Sequence, residues 1–210
     1  MEANTVRTYN GLAHLNGNLM VAIDFETTGD TAGYHEIIQI GVVPLDADLR
    51  PNKELRPFYH NIAPKHPERA SMEASVIHGL NLADLMLNAP SSEKVADLLL
   101  EWFEALNLPV NKKLTPMAHN WAFECSFGKA WLGTKMFDHI FHFHPRDSMI
   151  FALSLKDKAA FAGEPAPFNH VGLRYLCKHF GVINETPHDA LSDALAEAEV
   201  YRALVHVDLF

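Results

Sequence analysis

Leu19-Met20-Val21-Ala22-Ile23-Asp24-Phe25-Glu26-Thr27-Thr28-Gly29 is the stretch that decides the fold. Five apolar residues, with Val21 and Ile23 β-branched, run into two acids and a Thr-Thr-Gly turn; this reads as a buried strand that delivers carboxylates at its end. Side chains at i and i+2 of a strand share a face, so Asp24 and Glu26 present their carboxylates to one side. Two anions held that close repel unless a cation lies between them. Oxygen donors of this kind suit Mg²⁺ or Mn²⁺ better than zinc. A lone D-x-E also fits a strand end with two solvated acids, so the rest of the chain must carry the argument.

Downstream, 30–36 reads as a loop and 37–43 (Ile-Ile-Gln-Ile-Gly-Val-Val) as a second strand closed by Pro44, which cannot donate to a ladder. Residues 58–62 give a third strand, and the three together suggest an antiparallel meander opening a mixed sheet. Helices are then predicted over 69–77, stopped by Gly79, and from Ser91 or Ser92 to 106, where Val95, Leu98, Leu99, Trp102, Phe103 and Leu106 recur at helical spacing. A strand over 114–118 leads into His119-Asn120 and a helix over 121–132. The pattern His-Ile-Phe-His-Phe-His predicts a strand over 139–144, and Asp147 caps a helix to 158. Helices over 170–180 and 188–205 complete an α/β chain with helices packed on the sheet. Residues 1–18 are read as an N-terminal arm and 19–210 as a single domain.

At 210 residues, with 48% hydrophobic and 20% charged side chains, the chain can bury one substantial core. No apolar run approaches the roughly 18 residues of a membrane span, and the start lacks a secretory pattern; a cytoplasmic location is the default expectation. Cys125 and Cys177 make no disulfide or zinc framework. A net charge of −9 argues against a protein that coats a long duplex with Lys and Arg, yet is compatible with holding a few nucleotides at a strand end through metal ions.

The last helix opens Thr186-Pro187-His188-Asp189-Ala190-Leu191-Ser192-Asp193. Leu191, Ala194, Leu195, Ala198 and Tyr201 make its core stripe, and Asp193 lies beside it among small residues. His188 and Asp193 would be about 140° apart within one regular helix. His188 is therefore expected at or just before the first turn, leaning over the site that Asp193 faces. His139, His142 and His144 lack the partners of a zinc set and read as surface residues; Lys112, Lys113, Lys129 and Lys135 read as ordinary exposed cations.

Four features thus occur in order: Asp24-x-Glu26 after a strand, Val76-Ile77-His78-Gly79-Leu80, Ala118-His119-Asn120-x-x-Phe123-Glu124, and His188-x4-Asp193. In this arrangement the sequence resembles the DEDDh family of 3′-to-5′ exonucleases, the group that includes proofreading epsilon subunits and RNase T. The resemblance implies a ribonuclease H-like fold, a mixed β-sheet flanked by helices, and two divalent ions, Mg²⁺ or Mn²⁺, bound by Asp24, Glu26, Glu124 and Asp193. It further implies His188 as general base, a side chain able to exchange protons near neutral pH. Substrate contacts would come from the backbone at Thr27 and Thr28, from the apolar side chains Phe25, Ile77 and Phe123, and from His78 and Asn120 of the matching motifs. The implied partners are single-stranded DNA or RNA 3′ ends, released as 5′-mononucleotides, with a homodimer or a replication or repair complex as the assembly.

One departure stands out: the family motif His-Asn-x-x-Phe-Asp ends here in Glu124. The carboxylate moves outward by a methylene, enough to alter a tight octahedral Mg²⁺ site. DNA is favoured slightly over RNA because the first two motifs look more like the epsilon type. The alternatives are an RNase T-like exoribonuclease and, because of Glu124, a catalytically impaired relative that binds nucleic acid or a partner.

Overall fold

The computed structural model describes residues 15–207. Most of the arm expected at 1–18 therefore lies outside the described residues. The sheet has five strands: β1 (Leu19–Thr27), β2 (Ile37–Pro44), β3 (Phe58–Asn61), β4 (Leu114–Ala118) and β5 (Arg146–Asp147), in the order β3-β2-β1-β4-β5. β1 pairs antiparallel with β2 and parallel with β4, and the outer strands continue each pattern. The mixed sheet follows from the connections: loops without a helix, 28–36 and 45–57, make the β1–β2–β3 meander, whereas helices intervene before β4 and β5.

β1 is covered on both faces, which is why its start is apolar without alternation. Its parity then divides the core. Leu19, Val21, Ile23 and Phe25 enter one cluster with Val95, Leu99 and Phe103 of α3 (Ser92–Ala105) and Phe127 and Phe137 of α4 (Trp121–Ile140). Met20 and Ala22 face the opposite way, against Ala194 and Ala198 of α7 (Ala190–Val205). Asp24 and Glu26 continue that second row, so the pleat alone aims both carboxylates at the helix carrying Asp193. Behind α7, α5 (Ser148–Ala162) and α6 (Leu173–Phe180) build a third cluster around Leu155, Leu176, Val200 and Leu204.

Several elements differ from the sequence expectation. The helix expected over 69–77 is a 3₁₀ turn at Pro67–Arg69 followed by α1 (Met72–His78), which Ser71 caps through the Ala74 amide. α2 (Leu82–Asn88), capped by Asn81, was not anticipated because only Leu85 is buried and no apolar periodicity shows. Gly133 does break the helix begun at Trp121, with φ 73° and ψ 148°, but a second segment resumes and runs to Ile140. The strand expected over 139–144 is consequently wrong: Ile140 is wholly buried as the end of that helix, and the strand beside β4 is the two-residue β5 further on. His142 and His144 lie in an irregular segment bent at 143, the His144 amide donating to His142 Nδ1, rather than along a strand face. Among the described residues no helix is long and apolar enough to cross a membrane.

α7 reaches β2 so closely that only glycine fits beneath it. Gly41 pairs with Asp24, and a Cβ built on it would sit 2.5 Å from the Ala190 carbonyl oxygen. Backbone cannot swing aside as a side-chain tip can. Gly41→Ala should therefore destabilise the fold by about 1–3 kcal/mol, read as a lowered denaturation midpoint with an unchanged denaturant slope; an unchanged midpoint would show that α7 is free to move.

Candidate metal and nucleic-acid site

The start of α7 is pinned by groups distant in sequence. Buried Gln39 of β2 accepts the Ala190 amide through Oε1 at 2.8 Å, while its Nε2 donates to Tyr59 Oη (3.0 Å) and Asn61 Oδ1 (2.8 Å). The Tyr59 hydroxyl in turn donates to Asp189 Oδ2 at 2.5 Å, and Asp189 caps the helix by accepting the Ser192 amide at 3.0 Å. Immediately before this cap the chain turns through His188, whose φ of 67° is left-handed. His188 is thus exposed and outside the helix, as its angular offset from Asp193 required. Asp193 is held from two sides: Asn184 Nδ2 donates to Oδ1 at 2.5 Å and the His188 amide to Oδ2 at 3.2 Å.

A second device positions Glu124. Asp147, in β5, accepts the amides of Asn120 (3.3 Å) and Trp121 (2.8 Å) as well as that of Ile150 (3.0 Å), so one carboxylate caps α4 and α5 together. The anion is well placed at both helix starts. Asn120, left-handed at φ 76°, offers no side-chain cap of its own. The first turn of α4 then carries Glu124 inward, 3% exposed, with its Oε2 lacking any hydrogen-bond partner.

Glu26, His188 and Asp193 each offer a ligand atom, and these atoms lie within 4.8 Å of one another. Asp24 is the one residue of β1 that is not fully buried. Its carboxyl is nevertheless held well above the usual range by burial, then by Glu124, Glu26, Asp193 and Glu197. Glu26 is pushed up to about 8, by burial first and then by Asp193 and Asp189. Asp193 is raised by burial, against the relief from Asn184 and His188. Burial also raises Glu124, with Asp147 and Glu26 adding to it. Among the described residues, no Lys or Arg pairs with any of these acids. Unpaired, oxygen-rich and partly orphaned, the cluster has the donor set of a hard divalent cation.

The other expected contacts divide. His78 closes α1 at 8% exposure; its Nδ1 accepts the Leu80 amide at 2.9 Å, which leaves the proton on an Nε2 with no partner. Burial and the neighbouring His188 both lower its pKa, so this imidazole is a neutral donor beside the site. Ile77 is 54% exposed next to it. Thr28 ties the turn to its surroundings, with Oγ1 accepting the Glu36 amide and its carbonyl accepting the Ser71 amide, and Thr27 Oγ1 donates to the Gly29 carbonyl. Phe123 is half-buried against Phe127. Phe25 is turned the other way, 6% exposed in the core and edge-on to Trp131, and is not brought to the site. The sequence reading missed Glu197, Asn184 and the Gln39–Tyr59–Asp189 chain; for Glu197, its place four residues after Asp193 was the available signal.

Residues 21–201 match the RNase_T family, described as "Exonuclease". The chain belongs to this exonuclease family, and its five-stranded mixed sheet flanked by helices is the ribonuclease H-like fold. Among solved structures it is similar to E. coli exonuclease I in complex with a dT13 oligonucleotide, at 17% identity and TM-score 0.67 over 90% of this chain and 41% of that one. Exonuclease I from Methylocaldum szegediense gives 20% identity and TM-score 0.68 over 90% of this chain and 40% of that one. The nuclease domain of 3′hExo, a DEDDh family member bound to rAMP, gives 18% and 0.62 over 90% and 92%. The chain thus spans about two-fifths of the exonuclease I structures. No curated protein sequence matches it.

A carboxylate whose folded pKa is raised stabilises the fold fully below its unfolded value and loses that contribution as pH rises through the folded one. For Glu26 the window runs from about 4.5 to about 8. In a chelator the melting temperature should fall across this window, and Mg²⁺ or Mn²⁺ should suppress the fall by favouring the ionised carboxylates. A metal-free melting temperature that stays level over the window would show that the acids are not under mutual strain.

Proposed function

We propose that the chain is a metal-dependent 3′-to-5′ exonuclease that releases 5′-mononucleotides from single-stranded ends, with DNA slightly favoured over RNA, and that residues 19–210 form its single catalytic domain. The observation that carries this reading is the meeting of ligand atoms from Glu26, Asp193 and the exposed His188, with Asp24 and Glu124 in electrostatic reach of Glu26 and, among the described residues, no Lys or Arg paired with these acids. The 3′ polarity is supported by similarity to a structure described as a 3′-exonuclease recognising a histone mRNA stem-loop, at 16% identity.

The four carboxylates would hold two ions, Mg²⁺ or Mn²⁺. Bound there, they would supply an acidified water and neutralise charge on the phosphate. The protein's own share follows from its geometry. His188, its backbone amide tied to Asp193 and its side chain exposed outside the helix, takes the proton from the attacking water. Ile77 presents an apolar surface to a terminal base, a contact indifferent to sequence. The Thr27–Thr28 backbone, fixed by its turn, is the candidate to meet the terminal 3′ hydroxyl.

Glu124 favours a second reading, that of a catalytically impaired relative that binds nucleic acid. A gel time course on 5′-labelled DNA and RNA oligomers with either metal separates the two. The exonuclease gives a ladder shortening from the 3′ end, abolished by Asp24→Asn and slowed about 10²–10⁴-fold by His188→Ala. No ladder from the unaltered protein, but one from Glu124→Asp, would install the impaired relative. Faster hydrolysis of RNA would reverse the substrate order.

A further inference from the structure

α7 carries one more acid into the protein. Glu197 follows Asp193 by one turn, and Ala190, Ala194, Ala196 and Ala198 around it are each at most 2% exposed. These small residues let the helix lie close to the sheet and leave Glu197 as the only charged side chain buried along its length. It is 1% exposed, and neither carboxylate oxygen has a hydrogen-bond partner. The backbone of His119 favours its anion without making a bond of ordinary geometry. The charged groups that face it are Glu124 of α4, Asp147 of β5 and Asp193 of α7, all acidic, and it lies within the field of Asp24 of β1.

A solvated glutamate would have no reason to be here, and an apolar residue would fill the same volume without cost. Burying an unpaired carboxylate among carboxylates is strongly unfavourable unless a positive charge joins them. Glu124, the other deep acid, has an orphan oxygen of its own. Both are thus deep acids with unpartnered oxygens on elements that also carry or adjoin the site, while the Glu26–His188–Asp193 group is open to solvent at His188.

We propose that Glu197 is a metal ligand of this chain: together with Glu124 it would hold one of two divalent cations, the other resting on Glu26 and Asp193 beside His188. This rests on the two-ion nuclease reading above and adds a fifth carboxylate to it. Glu124 then acts with a partner, its longer reach directed toward an ion shared with α7.

Calorimetric titration of Mn²⁺ into the protein without nucleic acid tests the assignment. The unaltered protein should take up two ions; Glu197→Gln, nearly isosteric, should keep one and bind the other at least about tenfold more weakly. In chelator the same variant should melt higher than the unaltered protein, since the unpaired buried charge is gone, and should gain less from added Mn²⁺. Both ions bound with unchanged affinity by Glu197→Gln, or a chelator melting temperature lowered by it, would make Glu197 a hydrogen-bonding structural acid and overturn the proposal. One ion in both proteins would overturn it while leaving a one-ion nuclease; none in the unaltered protein would overturn the two-ion reading as well.

Discussion

Repulsion among carboxylates held out of water is the constraint on which the rest of this structure depends. Asp24, Glu26, Glu124, Asp193 and Glu197 are all driven toward protonation, by burial first and by neighbouring acids after it, and among the described residues no Lys or Arg pairs with them. A chain left to minimise its own free energy would splay these groups apart. Here the backbone forbids it. β1 is the central strand and cannot shift, the pleat fixes which way Asp24 and Glu26 point, and alanines rather than bulky residues separate α7 from the sheet. The apolar clusters on both sides of β1 supply the rigidity against which that repulsion is stored.

The helix starts are where the remaining precision is made. α7 is fixed by Gln39 accepting the Ala190 amide, by Tyr59 on Asp189, and by the absence of a side chain at Gly41. Each contact acts at the first turn, so Asp193 is located while the side chain of His188, one residue outside the cap, stays exposed. α4 is fixed in the same way by Asp147, whose carboxylate also starts α5. Helix positions next to a charged cluster are thus set by hydrogen bonds to helix-end amides, groups that would otherwise go unsatisfied. The consequence is that residues offering no carboxylate of their own, such as Gln39 and Tyr59, help set where the acids stand.

What could be read in the sequence follows the same physics. β1, β2, β4 and α7 were legible because their burial patterns are strong, and the order of the acids around them placed Asp24, Glu26, Glu124 and Asp193 toward a common region. His188 could be set outside the helix from angular arithmetic alone. β5 was not legible, since two residues carry no periodicity, and the alternating His-Ile-Phe-His-Phe-His that precedes it imitates a strand while ending a helix. α2 buries one residue and gives no stripe. The Gln39–Ala190 bond joins positions 151 apart and leaves no local trace. Glu197 was passed over because a mid-helix glutamate ordinarily faces water; only its four-residue offset from Asp193 placed it on the inner face.

The charge balance connects this strain to substrate binding. A chain of net charge −9 cannot gather a polyanion by the basic coat that serves duplex-binding proteins. Two of its acids stand at the end of β1 and three more on the helices beside it, where an approaching phosphate would meet any of them that is ionised. Under the two-ion reading, cations bring four positive charges to those five carboxylates and turn the least hospitable surface for a phosphate into the place where one is held. Metal and nucleic acid would then bind in order, ions first, because the ions remove the repulsion that the phosphate would otherwise face. Affinity would be concentrated at the terminal phosphodiester instead of spread along the strand, as an enzyme that works only at ends requires. The same acids that destabilise the metal-free fold would thereby confine the chemistry to one end of β1.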